Sequence, residues 1–172
     1  MPHTVHETAI PGDLKIADYI EDSYFADAWS VIAAEPDLTA LGQFIKAMRA
    51  TPWWVDVFMK LRNILVQLVG LKNLGGLAEV SPDKTETNYK VGDRVGIFTL
   101  YEITPDEVLF GDNDRHLRVT LSVGRERQSD GQTAVTVTTV VHVHNLLGKI
   151  YMLPVTPMHK LIAPAVAKSI GR

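Results

Sequence analysis

Cysteine is absent from this chain of 172 residues, which excludes disulfide bonds, thiolate nucleophiles and cysteine-ligated metals. An excess of positive charge is absent as well, because 17 Lys and Arg stand against 20 Asp and Glu. Without a basic stripe we expect no nucleic-acid partner. The sequence also lacks a signal-peptide pattern and an apolar run long enough to cross a bilayer. These absences predict a cytoplasmic protein with no membrane partner.

The composition that remains is typical of one folded domain, with 46% hydrophobic and 22% charged residues. A chain of this length can bury a sizeable core. We find no internal repeat and no linker. We expect residues 1–23 to form an N-terminal extension and residues 24–172 to form a single domain.

Hydrophobic periodicity predicts a strand, two helices, a strand meander and a final helix. Residues 24–33 are rich in apolar and aromatic side chains and indicate a first core strand. Helical spacing predicts a first helix capped by Asp37. A second helix is predicted to start at Thr51 and Pro52 and to end before Gly70. Alternating runs predict antiparallel strands at 94–103, 108–110, 115–123 and 134–144.

The C-terminal helix is predicted to start at Thr156 and Pro157, and Asn145 is a candidate start for an earlier helical segment. Three prolines within the segment predict a bend. One face is predicted to pack on the sheet; its members are Met158, Leu161, Ile162, Ala165, Val166, Ser169 and Ile170.

The hairpin that follows residue 123 has two candidate registers. A two-residue loop would place histidines on an apolar face, whereas a three-residue loop with Gly131 in a left-handed conformation separates the apolar and polar faces. The second register pairs Val119 with Val141. It also gathers four residues on the polar face: His116, Arg118, His142 and His144.

This polar cluster has several interpretations. Three histidines across a ladder resemble a zinc site, although Arg118 disfavours a cation. Asp112 and Asp114 lie in the turn before the cluster, so acid–base chemistry with His116 or His144 is a second interpretation. The interpretation we favour is a solvated outer sheet face in which the two aspartates are turn formers. A polar patch at the mouth of a cavity is an intermediate alternative.

Aromatic residues form a second candidate group near the start of the second helix. Trp54 and Phe58 are predicted either to pack in the core or to border a pocket. Core packing is the more common role for such residues, so the pocket is kept as an alternative.

Several phrases together resemble a known family: "YFADAWSV", "LRNILVQLVGLK", "VGDRVGIFTLYEITPDEVLFGDNDRHLRVTLSV" and "VTVTTVVHVHNLLGKIYMLPVTPMHKLI". They are similar to DUF2867, a family of uncharacterised bacterial proteins, over roughly residues 24–165. The most specific parts are the phrase from Asp112 to Leu117 and the phrase from His144 to Tyr151, followed by Pro157 and His159. The element order resembles the START/Bet v 1-like helix-grip superfamily. That resemblance implies a curved antiparallel sheet wrapped around the terminal helix, often with an apolar cavity between them.

We therefore predict an α+β helix-grip domain with two helices inserted after the first core strand. The expected function is binding of a small apolar or amphipathic molecule between the sheet and the C-terminal helix, without a metal or a cofactor. The alternatives are an enzyme that uses acid–base chemistry in the same cavity, and a dimerisation or interaction module that accompanies an oxidoreductase, in which case a homodimer is expected. The predicted ligand-binding residues are Trp54, Phe58, Asp114, His116, Arg118, His142, His144 and Tyr151.

Overall fold

The computed structural model of the chain describes residues 4–68 and 84–172. Gly70, the predicted stop of the second helix, lies outside the described residues. Within these ranges the protein belongs to the α+β class, as predicted. The sheet and helices described next are consistent with a helix-grip arrangement.

In the described part of the chain, seven antiparallel strands form one curved sheet in the order β1-β2-β7-β6-β5-β4-β3. The strands are β1 His6–Glu7, β2 Phe25–Ile32, β3 Arg94–Val95, β4 Phe98–Ile103, β5 Glu107–Asn113, β6 Leu117–Arg127 and β7 Thr133–Val143. The helices are α1 Ala40–Arg49, α2 Trp53–Leu68 and α3 Leu146–Lys168. Two helices therefore follow β2, a meander follows them, and a long helix ends the fold, as the sequence predicted.

The β6–β7 hairpin adopts the predicted register. Val119 pairs with Val141, and Arg118 pairs with His142. The loop is three residues long, and Gly131 has a φ of 84° in the left-handed region. A residue with a Cβ rarely adopts this conformation, so the glycine permits the turn that sets the register.

Both inserted helices begin later than the sequence predicted. Thr39, not Asp37, caps α1, and its side chain accepts a hydrogen bond from the backbone N–H of Gly42. Helix α2 starts at Trp53, and the hydroxyl of Thr51 donates to the carbonyl of Ala47 at 3.1 Å. The hydroxyl of Thr51 therefore bonds the last turn of α1 and does not cap α2 as predicted.

Helix α3 is one continuous element, and its start was predicted wrongly at Thr156. Asn145 caps it, accepting a hydrogen bond from the backbone N–H of Gly148. The predicted buried face was also wrong in part, because Leu161 is 61% exposed. The residues that face the sheet recur at helical spacing: Met152, Val155, His159, Ile162 and Val166.

Leu161→Ala is therefore expected to change the free energy of unfolding by less than about 0.5 kcal/mol, as for other exposed positions. Met152, which is 3% exposed on the same helix, provides the matched comparison. Met152→Ala is expected to cost about 2–3 kcal/mol through lost burial and a residual cavity. Urea titrations of both variants measure the two values. Equal losses would mean that α3 is rotated relative to this description.

The outer face of the sheet, which points away from α3, is covered by the N-terminal segment. Strand β1 pairs with β2, and a 3-10 helix at Lys15–Tyr19 packs against Leu109 and Val140 through the fully buried Ile16. The carboxylate of Glu107 holds this segment by accepting from the backbone N–H of Lys15 at 2.7 Å. Residues of the predicted N-terminal extension thus take part in the same sheet.

This covering changes the environment of the polar strand residues. Thr120, Ser122 and Thr138 are all fully buried. The prediction of a solvated outer face was therefore wrong in this central part. The error arose because the apolar residues of the segment are few and irregularly spaced, so their amphipathic character is weak in the sequence.

Candidate functional site

A cavity of about 210 Å³ lies between the inner face of the sheet and α3. Helix α1 closes part of it through Phe44, Ala47 and Met48, and α2 contributes Met59. Most of the wall is apolar because alternate residues of β6 and β7 point inward. Five lining residues carry polar side chains: Asp112, Asp114, Thr139, Tyr151 and His159.

A buried contact between a histidine and a carboxylate supports the cavity wall at its β2 side. His159 Nε2 lies 3.0 Å from Asp27 Oδ1, and the two side chains are 23% and 3% exposed. Asp27 pairs with Thr139 on the inner face of the sheet, and His159 lies on the inner face of α3. Strand alternation and helical spacing together bring these two residues into contact across the interior.

The partners of Asp27 determine how the imidazole is oriented. Trp29 Nε1 donates to Asp27 Oδ2 at 3.0 Å, while Oδ1 contacts His159 Nε2. An ionised carboxylate only accepts hydrogen bonds, so Nε2 of His159 carries the proton in this contact. Phe25 packs edge-on against the imidazole with ring centroids 5.4 Å apart. The ring of His159 is therefore held by a charged group on one edge and an aromatic ring beside it.

A second polar region lies at the β5 side of the cavity and contains Asp112 and Asp114. Asp112 pairs with Val119, Val119 with Val141, and Val141 with Phe25. This row crosses three strand spacings, so β5 and β2, which carry Asp112 and Asp27, lie about 14 Å apart across the sheet. The cavity is thus an apolar space with a polar group toward each side.

Asp114 forms the turn that leads into β6. Its Oδ1 accepts hydrogen bonds from the backbone N–H groups of His116 at 2.6 Å and Leu117 at 2.9 Å. Both aspartates were predicted to be turn formers: this is confirmed for Asp114, whose carboxylate also lines the cavity, and wrong for Asp112, which lies within β5 and pairs with Val119.

The turn contacts the start of α3 through the two phrases that the sequence singled out. His116 Nδ1 lies 3.1 Å from Asn145 Oδ1, and Asn145 Nδ2 donates to the carbonyl of Arg115 at 3.0 Å. The backbone N–H of His144 donates to the carbonyl of His116 at 2.8 Å. A Cβ on Gly148 would collide with that carbonyl, so glycine permits α3 to approach the strand. These residues build a junction between the sheet and α3.

The predicted four-residue polar cluster divides between two places. Arg118 and His142 are neighbours on the outer face, with Arg118 Nη2 3.5 Å from His142 Nδ1. The guanidinium of Arg118 lies over the Tyr19 ring at 5.7 Å from its centroid. His116 belongs to the junction, and His144 Nε2 lies 3.2 Å from Asn113 Oδ1. Within residues 4–68 and 84–172, no three His, Asp or Glu side chains are grouped to hold a metal ion.

The predicted ligand-binding residues therefore differ in their relation to the cavity. Asp114 and Tyr151 line it, while Arg118 and His142 lie on the opposite side of the sheet. Trp54 and Phe58 pack against each other with ring centroids 5.8 Å apart, and neither contributes to the cavity wall.

Tyr101, on the outer face of the sheet beside Gly111, has a shifted pKa. Partial burial of the phenol raises its pKa above the ordinary value, and the negative charge of Asp112 adds to this increase. Arg118 opposes the increase by favouring the phenolate.

Sequence reasoning missed Asp27 and His159, although each carried a signal. Asp27 is the one charged residue among the apolar positions of "FADAWSVI". His159 falls at helical spacing between Val155 and Ile162 on the face that packs inward. A charged residue amid apolar strand positions needs a buried partner, and this expectation was a usable clue.

Comparison with known proteins identifies the family. The family described as "Protein of unknown function (DUF2867)" matches residues 19–166. The chain belongs to the DUF2867 family. No curated protein matches the sequence. The part of this DUF2867 protein that matches the family includes β2 to β7, most of α3, and both Asp27 and His159.

Among the helices in the described part of this DUF2867 protein, none combines the length and apolar character needed to cross a bilayer.

Proposed function

We propose that this DUF2867 protein binds a small apolar or amphipathic molecule in the cavity between the sheet and α3. The observation that carries the proposal is a largely apolar cavity with a few polar side chains in its wall. Ligand sites are commonly built this way, because apolar walls supply affinity and a few polar groups supply orientation.

The cavity volume limits the size of the molecule. A protein cavity of about 150 Å³ binds benzene, and sites for drug-sized ligands start at about 300 Å³. The cavity of about 210 Å³ lies between these values. A molecule with one substituted ring, or an aliphatic chain of similar volume, fits the proposal best.

We also propose that the fold belongs to the START/Bet v 1-like helix-grip superfamily. Support comes from the element order, in which α1 and α2 follow β2 and the chain ends with α3 across the inner sheet face. A cavity between sheet and terminal helix agrees with what that resemblance implies. Fold likeness alone does not specify a ligand, so the functional proposal rests on the cavity.

A cavity-filling substitution tests the proposed function. Ala163 lines the cavity from α3 and is 8% exposed, and a phenyl ring there would occupy most of a benzene-sized space. Toluene is expected to shift the methyl NMR signals of Val119 and Ile162 in the wild type. Ala163→Phe is expected to weaken toluene binding at least tenfold while the protein remains folded. Lys160→Phe, on the exposed side of the same helix, is the matched control.

Toluene that shifts no cavity methyl signal in the wild type would contradict the proposal. Equal binding by the wild type and Ala163→Phe would place the toluene site elsewhere and would also contradict it. Native mass spectrometry of freshly purified protein adds an independent readout, since a retained molecule would appear as a mass increase.

The enzymatic alternative requires a titratable group in the cavity. His116 and His144, which the sequence nominated, lie in the junction and not in the cavity wall. His159 is the histidine of the described residues that lines the cavity. Acid–base chemistry in this cavity would therefore depend on His159 and Asp27.

The interaction-module alternative is favoured by one surface feature. The outer side of α3 exposes apolar side chains at helical spacing: Leu146, Ile150, Leu153 and Leu161. Exposed apolar stripes are typical of protein contact surfaces, so a homodimer through α3 is the second proposal.

A further inference from the structure

We infer that His159 is the polar anchor of the cavity and that it selects uncharged ligands whose hydroxyl group donates a hydrogen bond to Nδ1. This inference rests on the proposed ligand-binding function and names the chemical class of the ligand. Asp27, which the ligand does not reach, acts by holding His159 in the accepting tautomer.

The tautomer follows from the contacts of Asp27. Both carboxylate oxygens accept, one from Trp29 Nε1 and the other from His159 Nε2. In the uncharged form of His159, a proton on Nε2 leaves a lone pair at Nδ1. The side chain of Asp27 is 3% exposed, so water does not compete effectively for the carboxylate.

The Nδ1 atom is available to a ligand. Among the side chains and backbone groups that the structure describes, none makes a hydrogen bond with Nδ1 of His159. Nδ1 is also not one of the fully buried unpaired polar atoms of the described chain, so it is not sealed off by protein atoms. Since His159 lines the cavity, a ligand that enters can satisfy this acceptor.

The charge of the cavity wall excludes anionic ligands. Among the described residues that line the cavity, none is Lys or Arg, whereas Asp112 and Asp114 both line it. Asp27 adds a third carboxylate behind His159. A ligand carboxylate would lose its hydration and meet like charges. A phenol or alcohol offers the required O–H without a charge.

Three probes with the same tolyl group test the selection. Toluene carries no polar group, p-cresol carries a hydroxyl, and p-toluate carries a carboxylate. The wild type is expected to bind p-cresol about five- to tenfold more tightly than toluene, the gain typical of one buried hydrogen bond. Binding of p-toluate is expected to be at least tenfold weaker than that of toluene. The 15N NMR signal of His159 Nδ1 is expected to shift with p-cresol and to stay nearly constant with toluene.

Asp27→Asn is the variant that separates tautomer control from packing. Trp29 Nε1 still requires an acceptor, which is the oxygen of the new amide, so the amide NH2 group faces His159 and donates to Nε2. The imidazole then carries its proton on Nδ1, which becomes a donor. The 15N spectrum is expected to show this tautomer change, and the preference for p-cresol over toluene is expected to fall to less than twofold. Toluene affinity is expected to stay within twofold of the wild-type value.

The outcomes distinguish this inference from the proposed function. Toluene binding without any preference for p-cresol in the wild type would overturn the inference and leave the proposed function standing. So would a preference that survives the tautomer change in Asp27→Asn, or tighter binding of p-toluate than of p-cresol. Absence of binding by all three probes would overturn both. If Asp27→Asn does not fold, the affinities of the wild type for the three probes and its Nδ1 signal still test the inference.

Discussion

His159→Leu is expected to lower the free energy of unfolding by about 3 kcal/mol at neutral pH. The substitution leaves the carboxylate of Asp27, 3% exposed, with Trp29 Nε1–H as its remaining donor among the described contacts. A buried carboxylate that loses a hydrogen-bond donor is costly, and this cost exceeds what the larger apolar surface of leucine recovers. Urea unfolding followed by tryptophan fluorescence measures the loss.

The double variant Asp27→Asn with His159→Leu identifies the cause. It removes the buried charge, so it is expected to be more stable than His159→Leu alone despite carrying one more substitution. Lys160→Leu on the exposed side of α3 is the positional control, with an expected change within about 0.5 kcal/mol. A double variant less stable than the single one would show that packing, and not the charge of Asp27, explains the loss.

Gly148→Ala is expected to lower the free energy of unfolding by about 3 kcal/mol. In an ordinary helix interior the same change raises stability by about 1 kcal/mol, because alanine has the higher helix propensity. At Gly148 the new Cβ would collide with the carbonyl oxygen of His116 and with the side chain of Val143. That carbonyl is already held by the backbone N–H of His144 at 2.8 Å, so it cannot move without loss of a hydrogen bond.

Gly12→Ala is the matched control, because a Cβ at Gly12 meets no atom within 4 Å. Its effect is expected to stay within about 0.5 kcal/mol. Thermal unfolding of both variants, recorded by circular dichroism, gives the comparison. A Gly148→Ala protein as stable as the wild type would contradict the close contact between α3 and the start of β6.

The sheet was the part of the fold that local sequence determined best. Apolar and polar residues alternate in β6 and β7, and Gly131 supplies the left-handed residue that a three-residue loop needs. A slip of one residue would place His142 and His144 on the apolar face, so a single register satisfies both constraints. The pairing of Val119 with Val141 could therefore be predicted before any tertiary contact was known.

Helix α3 shows where local reasoning failed. Its sequence is apolar on nearly every side, so periodicity did not distinguish the inner face from the outer one. Leu161 was assigned to the interior and is exposed, whereas His159 faces the cavity. A helix with apolar residues all round has a weak directional signal, and only packing against the sheet decides its rotation.

The candidate site depended even more on tertiary structure. Asp114 was recognised because its turn role is local: the carboxylate bonds backbone groups two and three residues ahead. The outer-face position of Arg118 and His142 followed from the predicted register, whereas their contacts with Tyr19 and Glu21 became clear only with the N-terminal segment in place. That segment packs through a few apolar residues, and such isolated contacts leave no period in the sequence.

The sequence by itself thus determined the α+β class, the order of the elements, the β6–β7 register and the Asp114 turn, because each depends on interactions between residues close along the chain. Only the tertiary structure decided the rotation of α3, the covering of the outer sheet face and the contact of Asp27 with His159. Those two residues are 132 positions apart, and neither strand alternation nor helix periodicity alone states which residue of one element meets which residue of another. Their contact follows from the packing of α3 across the sheet, where the imidazole that reaches the buried carboxylate of Asp27 gives it a hydrogen bond.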